Sequence, residues 1–165
     1  MSSSYIIENY DRLPSIVIFH HANRYQWQND DPLYDGKRVL DRLNVSYIEE
    51  EGYTNLRCCW TLGCPTEIRP SVEDAEKPSA AEIGDKDPRA GWYYKEAFEA
   101  LFPGEVVPTK IGAPCCAQFA AAGWKIRQRP RRDYERYRQW LLDTELVDHV
   151  SGRILEYSWH SKSQC

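Results

Sequence analysis

The sequence predicts an α/β protein, in which a single compact domain of 165 residues carries a small, mostly parallel or mixed sheet flanked by helices. Residues 16–19, Ile-Val-Ile-Phe, form a short apolar run rich in β-branched side chains, which is typical of a strand buried on both faces. Several segments with apolar residues at helical spacing lie before and after it. A chain of this length can bury a core without metal or disulfide cross-links.

The first part of the chain alternates helix and strand patterns. Residues 4–12 place apolar side chains at helical spacing, and Pro14 ends that helix. After the strand over 16–19, Asp35 is suited to cap a helix that runs to about residue 43. Residues 53–60 are predicted to form a second strand, which a Gly-Cys-Pro turn at 63–65 ends.

The second part is predicted to be mainly helical. Three segments carry amphipathic helical patterns: 91–102, 133–142 (capped by Asp133) and about 154–160. A turn followed by a strand of small residues falls within 111–122. Between about 69 and 90, Pro, Ser, Ala, Glu and Asp dominate, so we expect a mobile excursion from the domain there.

The composition argues against several classes of partner. Lys and Arg number 21 against 25 Asp and Glu, which gives a formal net charge of −4, whereas a nucleic-acid-binding protein is usually basic. The basic run over 125–138 is interpreted as a solvated helix start with local ion pairs such as Asp133–Arg136. No apolar run is long enough for a membrane span, and no secretory signal pattern opens the chain. We therefore expect a cytoplasmic protein.

The cysteines are interpreted as buried free thiols. They are Cys58, Cys59, Cys64, Cys115, Cys116 and Cys165. Disulfides are rare in a reducing compartment, and directly adjacent cysteines fit a tetrahedral zinc ion poorly. A metal site and a reactive nucleophile remain as the weaker alternatives.

The polar loop after the first strand is the candidate functional site, because ligands bind beyond the carboxyl ends of strands in open α/β sheets. It holds His20, His21, Asn23, Arg24, Tyr25 and Trp27. Histidine can move a proton near neutral pH, and an arginine can stabilise developing negative charge. We predict a small-molecule pocket with His20, Arg24 and His160 as catalytic residues.

Aromatic side chains are expected to shape this pocket: Tyr25, Trp27, Trp60 and Trp159. The alternative to a catalytic loop is a plain solvated connection. Asp30 and Asp31 form a weak candidate for a metal site, although Pro32 makes a turn-forming role as good an explanation. Motifs for nucleotide binding, zinc proteases and α/β-hydrolases are absent from the sequence, so we expect no cofactor.

Several strings also carry a resemblance that covers nearly the whole chain. They are Asn9-Tyr-Asp-Arg-Leu-Pro14, His21-Ala-Asn-Arg-Tyr-Gln-Trp27, Gly112-Ala-Pro-Cys-Cys-Ala-Gln-Phe119, Asp133-Tyr-Glu-Arg-Tyr-Arg-Gln-Trp140 and Ser151-Gly-Arg-Ile-Leu-Glu-Tyr-Ser-Trp-His160. Together they resemble a mainly fungal family known only as a domain of unknown function. Compared with that family the chain starts late, and it has Asn23 and Gln28 where the family loop commonly has histidines.

The family layout is also distantly similar to a sugar-nucleotide transferase of the GT-A kind. In that comparison, the segment containing Gln118 and the helix containing Glu156 resemble the acceptor-side half. The similarity therefore implies substrate-binding roles for Gln118 and Glu156, beside His21 and Asn23.

The resemblance and the lack of cofactor motifs imply a tailoring protein of fungal secondary metabolism that performs a cofactor-free cyclisation or isomerisation. One alternative is a glycosyltransferase-like enzyme that uses Asp30 and Asp31 with a divalent metal. The other is a non-enzymatic subunit whose sheet edge pairs with another chain. The expected partner is a small-molecule substrate, with neither nucleic acid nor membrane, and a homodimer is a possible assembly.

Overall fold

The computed structural model describes residues 2–57, 68–79, 88–113 and 116–158. The chain divides into two compact units, formed by residues 1–63 with 114–138 and by residues 64–113 with 139–165. The predicted α/β class is confirmed, since a small sheet occurs together with many helices.

The elements follow one another as α1 (Ser2–Asn9), a 3-10 helix (Tyr10–Arg12), β1 (Ile16–Phe19), α2 (Gly36–Asp41), α3 (Val45–Glu51), β2 (Tyr53–Asn55), α4 (Pro70–Ala75), α5 (Gly91–Leu101), β3 (Phe119–Ala122), α6 (Gly123–Arg127), α7 (Arg131–Asp143) and α8 (Asp148–Ser158). The first unit contains the whole sheet, whereas α4, α5 and α8 belong to the second. None of the helices within the described ranges is long and apolar enough to cross a membrane.

The sheet has the strand order β1-β3-β2, and both pairings are antiparallel. This corrects the prediction of a mostly parallel or mixed sheet. The bounds of β1 agree with the predicted strand, but β1 pairs only with β3 among the described strands and exposes Ile18. The expectation of a strand buried on both faces is therefore wrong, since an antiparallel sheet can leave one face in water.

Strand β3 lies at the centre of the sheet and is buried along its whole length. Ala120 packs in a core cluster with Val39, Ile48 and Leu56, which come from α2, α3 and the residue after β2. Small side chains on β3 let the helices approach the sheet closely. The predicted small-residue strand is thus the central strand of the sheet.

Helix α3 was not predicted, although both of its ends carry standard signals. The Asn44 side chain accepts a hydrogen bond from the backbone N–H of Tyr47 at 3.1 Å and caps the N-terminus. Gly52 ends the helix with φ of 84°, a left-handed conformation that glycine adopts without steric cost.

The second unit is built around α5, which confirms the helix predicted over 91–102. Its buried face carries Tyr94, Phe98 and Leu101. The Tyr94 hydroxyl lies 3.3 Å from Ser158 Oγ of α8, and burial raises the pKa of Tyr94 to about 12. Helix α8 begins at Asp148, earlier than predicted.

The stretch 69–90 contains a helix that its composition did not predict. Helix α4 packs along α5, where Lys95 Nζ lies 3.2 Å from an Asp74 carboxylate oxygen. The Glu73 carboxylate lies against Gly91, in the space that a side chain would fill. Residues 80–87 lie outside the described residues.

Helix α7 confirms the helix predicted over 133–142 but begins at Arg131, so Asp133 lies in its first turn and does not cap it. Asp133 accepts a hydrogen bond from Arg136 at 2.8 Å, and Arg131 pairs with Glu135 at 3.0 Å. The basic run thus contains the local ion pairs expected of a solvated helix start.

Candidate functional site

The loop after β1 folds back on itself. Gly36 donates its backbone N–H to the Arg24 carbonyl at 2.8 Å, and Gln26 donates to the Tyr34 carbonyl at 3.2 Å. The buried Asn29 side chain closes the loop from inside, because its Nδ2 group donates to both carbonyls at 2.7 and 2.8 Å. The candidate site is therefore a compact loop held by its own backbone.

An ion pair joins this loop to α2. Arg24 donates through Nε and Nη2 to the two carboxylate oxygens of Asp35, at 2.9 and 2.8 Å. Asp35 also caps α2, as predicted, by accepting from the Lys37 backbone N–H at 3.0 Å. The hydrogen bonds from Arg24 lower the pKa of Asp35 from 3.8 to about 2. Arg24, predicted to be catalytic, thus positions the loop.

The Asp35 carboxylate is expected to make stability depend on pH in acid. Because its pKa is lowered on folding, the native state gains stability from the ionised carboxylate above pH 3.8, and this gain disappears as the pH falls toward 2. Asp35→Asn keeps a helix-capping side chain but removes the charge, so its melting temperature should fall less steeply over this window. Circular dichroism melts between pH 5 and 2 measure the difference.

Asp41→Asn is the matched control, since Asp41 forms an exposed i,i+4 pair with Lys37 at the other end of α2. It should keep the steep acid dependence of the unchanged protein. Equal slopes for Asp35→Asn and the unchanged protein would contradict the role assigned to Asp35.

The second acidic residue of the loop is also engaged. Asp31 Oδ2 accepts from the Leu33 backbone N–H at 2.9 Å, while Oδ1 lies 3.3 Å from Arg38 Nε and 3.4 Å from Arg42 Nη1. Its side chain is fully buried, whereas Asp30 is exposed. Within the described ranges, no group of three or more His, Cys, Asp or Glu side chains is placed to hold a metal. The Asp31 carboxylate therefore connects the loop to α2.

His20 has one ring nitrogen at hydrogen-bond distance from a carbonyl oxygen and the other without a partner in the described part of the chain. Its Nδ1 lies 2.7 Å from the His21 carbonyl oxygen, and a carbonyl only accepts, so Nδ1 carries the proton. In the neutral imidazole Nε2 is then the unprotonated nitrogen, and it is buried with no hydrogen-bond partner among the described residues. The imidazole packs on Gly36, where an added Cβ would lie 2.6 Å from His20 Cε1.

His21 and Gln118 connect the loop to the segment before β3. His21 Nε2 lies 3.0 Å from the Cys116 carbonyl oxygen, and the His21 backbone N–H donates to Gln118 Oε1 at 3.3 Å. Gln118 is buried and donates through Nε2 to the Gln28 carbonyl at 3.1 Å. Both residues were predicted for the site, and the structure brings them together.

Arg57 completes this region and was missed in the sequence. It is only 6% exposed, directly beyond β2, and its Nη1 donates to the Trp27 carbonyl at 3.2 Å and contacts Cys116 Sγ at 3.6 Å. Its guanidinium carbon lies 5.3 Å from the centre of the Trp27 ring. In the sequence, a buried arginine after a short strand cannot be distinguished from a solvent-exposed one, so no local signal could have identified Arg57.

A family model described as "Protein of unknown function (DUF3431)" matches residues 2–162 of the chain. The chain belongs to the DUF3431 family. This confirms the resemblance to a domain of unknown function over nearly the whole sequence. No curated protein matches the chain significantly, and neither does any solved structure.

The segment that meets the loop of the DUF3431 chain has a strained backbone. Cys116 and Ala117 have φ of 88° and 47°, and Tyr34 in the loop has φ of 56°. Side chains other than glycine rarely adopt this left-handed region, and such strain tends to persist where function needs it. The Cys116 carbonyl oxygen contacts His21 of the loop, and the Tyr34 carbonyl accepts from Asn29 within the loop.

Cys116 is disulfide-bonded, so the expectation of free thiols is wrong for this residue. The other five cysteines of the DUF3431 chain lie outside the described residues. Adjacent cysteines gave no indication of this pairing, since the sequence alone cannot show which segments meet in space.

The remaining predicted residues are distributed unevenly. Tyr25 and Trp27 are exposed at 62% and 54%, and Asn23 is also exposed. Glu156 belongs to the second unit, where it pairs with Arg153 at 3.2 Å. Trp60, Trp159 and His160 lie outside the described residues. The structure thus groups His20, His21, Trp27 and Gln118 of the DUF3431 chain in one unit, with Arg57 added.

Proposed function

We propose that this protein binds a small organic molecule at the loop beyond β1 and promotes its cofactor-free cyclisation or isomerisation, as a tailoring step in fungal secondary metabolism. The observation that carries this proposal is the buried Nε2 of His20, which has no hydrogen-bond partner among the described residues and lacks a proton in the neutral imidazole. An isomerisation moves a proton within the substrate, so a positioned base that takes the proton and returns it is sufficient chemistry.

The surroundings of His20 support such a role. The Arg24–Asp35 pair and the Asn29 amide hold the loop in one conformation, so that the base is positioned before the substrate arrives. His21 and Gln118 fix the loop to the segment before β3. The exposed Trp27 ring offers an apolar surface for the body of a substrate.

The geometry favours this proposal over a metal-dependent sugar transfer. That alternative needs Asp30 and Asp31 together as metal ligands, but the Asp31 carboxylate lies between two arginine side chains and two backbone donors. The fungal setting is supported by the resemblance of the sequence strings to a mainly fungal family.

Comparative mass spectrometry of metabolites tests the proposal in a fungal host with and without the gene. Loss of the gene should remove one product and accumulate a compound of equal mass, and the unchanged gene should restore the product. His20→Gln should restore about a hundredth of it or less, because it removes the proton-accepting nitrogen. His149→Ala, an exposed histidine of the second unit, should restore it fully.

Two results would overturn the proposal. Accumulation of a precursor lighter by one sugar unit would identify a transferase. An unchanged set of metabolites would mean that the protein converts none of them. Full restoration by His20→Gln, with the protein present at its normal level, would remove His20 from the mechanism.

A further inference from the structure

We propose that Arg57 anchors a binding site for an organic carboxylate, so that the substrate of the proposed function is an organic acid. This inference rests on the proposed function for the identity of the ligand as substrate. The contacts of Arg57 alone indicate the binding site.

Arg57 carries a buried positive charge that no carboxylate in the described chain neutralises. Its contacts are the Trp27 carbonyl oxygen, the Cys116 sulfur and the face of the Trp27 ring. Burying a guanidinium without a negative partner is unfavourable, and proteins seldom keep such a charge unless something pairs with it. An anionic ligand would supply the missing charge.

The edge of the guanidinium that is suited to a carboxylate has no hydrogen-bond partner among the described residues. Arg24, in the same unit, uses its Nε and Nη2 groups to hold both oxygens of Asp35. Both hydrogen bonds of Arg57 are donated by Nη1, while Nε is buried without a hydrogen-bond partner and Nη2 meets no acceptor in the described residues. Two parallel N–H groups in one plane match the two oxygens of a carboxylate.

The surroundings favour a carboxylate over a phosphate. A phosphate dianion is usually held by several cationic or backbone donors, whereas Arg57 is the one guanidinium beside Trp27 and Cys116 in the described contacts. The Trp27 indole that covers Arg57 provides an apolar face for the rest of the ligand. Because this side chain is 54% exposed, it can turn aside with little loss of packing and admit the ligand.

Nuclear magnetic resonance of the full chain tests the site with benzoate as the probe. Benzoate combines a carboxylate for Arg57 with a ring for Trp27, and benzamide is its uncharged counterpart. We expect a saturable shift of the Arg57 Nε–H resonance with benzoate and none with benzamide. Arg57→Lys keeps the charge but loses the paired donors, so it should weaken benzoate binding at least tenfold.

Arg153→Lys is the matched control, since Arg153 is an exposed arginine of the second unit, and its benzoate affinity should equal that of the unchanged chain. No saturable shift at Arg57, equal binding by Arg57→Lys, or stronger binding of inorganic phosphate would each overturn the inference. If Arg57→Lys does not fold, the Nε–H shift in the unchanged chain decides.

The two proposals can fail separately. Benzoate binding at Arg57 in a protein whose loss changes no metabolite would retain the carboxylate site and overturn the proposed activity. A change of metabolites that depends on His20, without benzoate binding at Arg57, would retain the activity and overturn the carboxylate site.

Discussion

Phe98→Ala is expected to lower the free energy of unfolding by about 3–5 kcal/mol, the largest effect of any single change considered for this chain. Phe98 is 1% exposed in α5, and its ring centre lies 4.7 Å from that of Phe102 and 6.1 Å from that of Tyr94. Removing the ring loses apolar burial and leaves a cavity among side chains already in contact. Urea unfolding followed by circular dichroism measures the loss.

Val106→Ala is the control for Phe98→Ala, because Val106 is 90% exposed and its truncation should change stability by less than about 0.5 kcal/mol. Similar losses for the two variants would contradict the packing of α5.

Hydrogen exchange of Phe98→Ala gives a second result. The sequence predicts one domain, so amides of β3 and of α5 should lose protection together in this variant. Loss confined to α5 would indicate that the two compact units unfold independently.

Gly123→Ala is expected to destabilise the first unit by about 1–3 kcal/mol. A Cβ at Gly123 would lie 2.3 Å from the Pro14 carbonyl oxygen, which is backbone and cannot move aside as a side chain can. The same residue donates its N–H to the Ser15 carbonyl at 2.8 Å, next to the start of β1. The added methyl group must therefore disturb the junction of β1, β3 and α6.

Gly152→Ala is the same substitution at a position with free space, since no described residue outside the local helix backbone lies within 4 Å of a Cβ there. It lies inside α8, where alanine is a better helix former than glycine, so we expect a gain of about 0.5–1 kcal/mol. Thermal melts of the two variants should shift in opposite directions. A melting temperature for Gly123→Ala equal to that of the unchanged protein would contradict the close approach at Pro14.

The elements predicted best were those with strong local signals. A continuous β-branched run identified β1, the Asp35 side chain identified the start of α2, and the apolar spacing of 91–102 identified α5. These signals act over a few residues, so they do not depend on contacts with distant parts of the chain. Helix α3 has equally local signals in Asn44 and Gly52, which cap its two ends.

The position and direction of the strands could not be predicted in the same way. A short apolar run is compatible with a central or an edge strand, and only pairing with residues far along the chain decides between them. The composition of 69–90 likewise suggested a solvated stretch, although α4 forms within it because α5 supplies a surface for packing.

The candidate site shows the same division. The sequence identified the loop and its histidines, since polar and aromatic residues after a strand are a local pattern. It assigned Arg24 to charge stabilisation, whereas the structure pairs Arg24 with Asp35 and leaves Arg57 without a carboxylate in the described chain. Whether an arginine pairs with a carboxylate depends on the residues around it in space, and spacing along the sequence does not show these.

The pairing of β1 with β3 has a consequence for synthesis of the chain. Ile16 pairs with Ala122, so β1 leaves the ribosome roughly a hundred residues before its partner, or about 5–20 s at common rates of translation. The loop over 24–36, by contrast, closes through contacts within itself and can form as soon as it emerges. The nascent chain therefore carries a folded loop beside an unpaired strand, and this interval is when aggregation or chaperone capture would act on it.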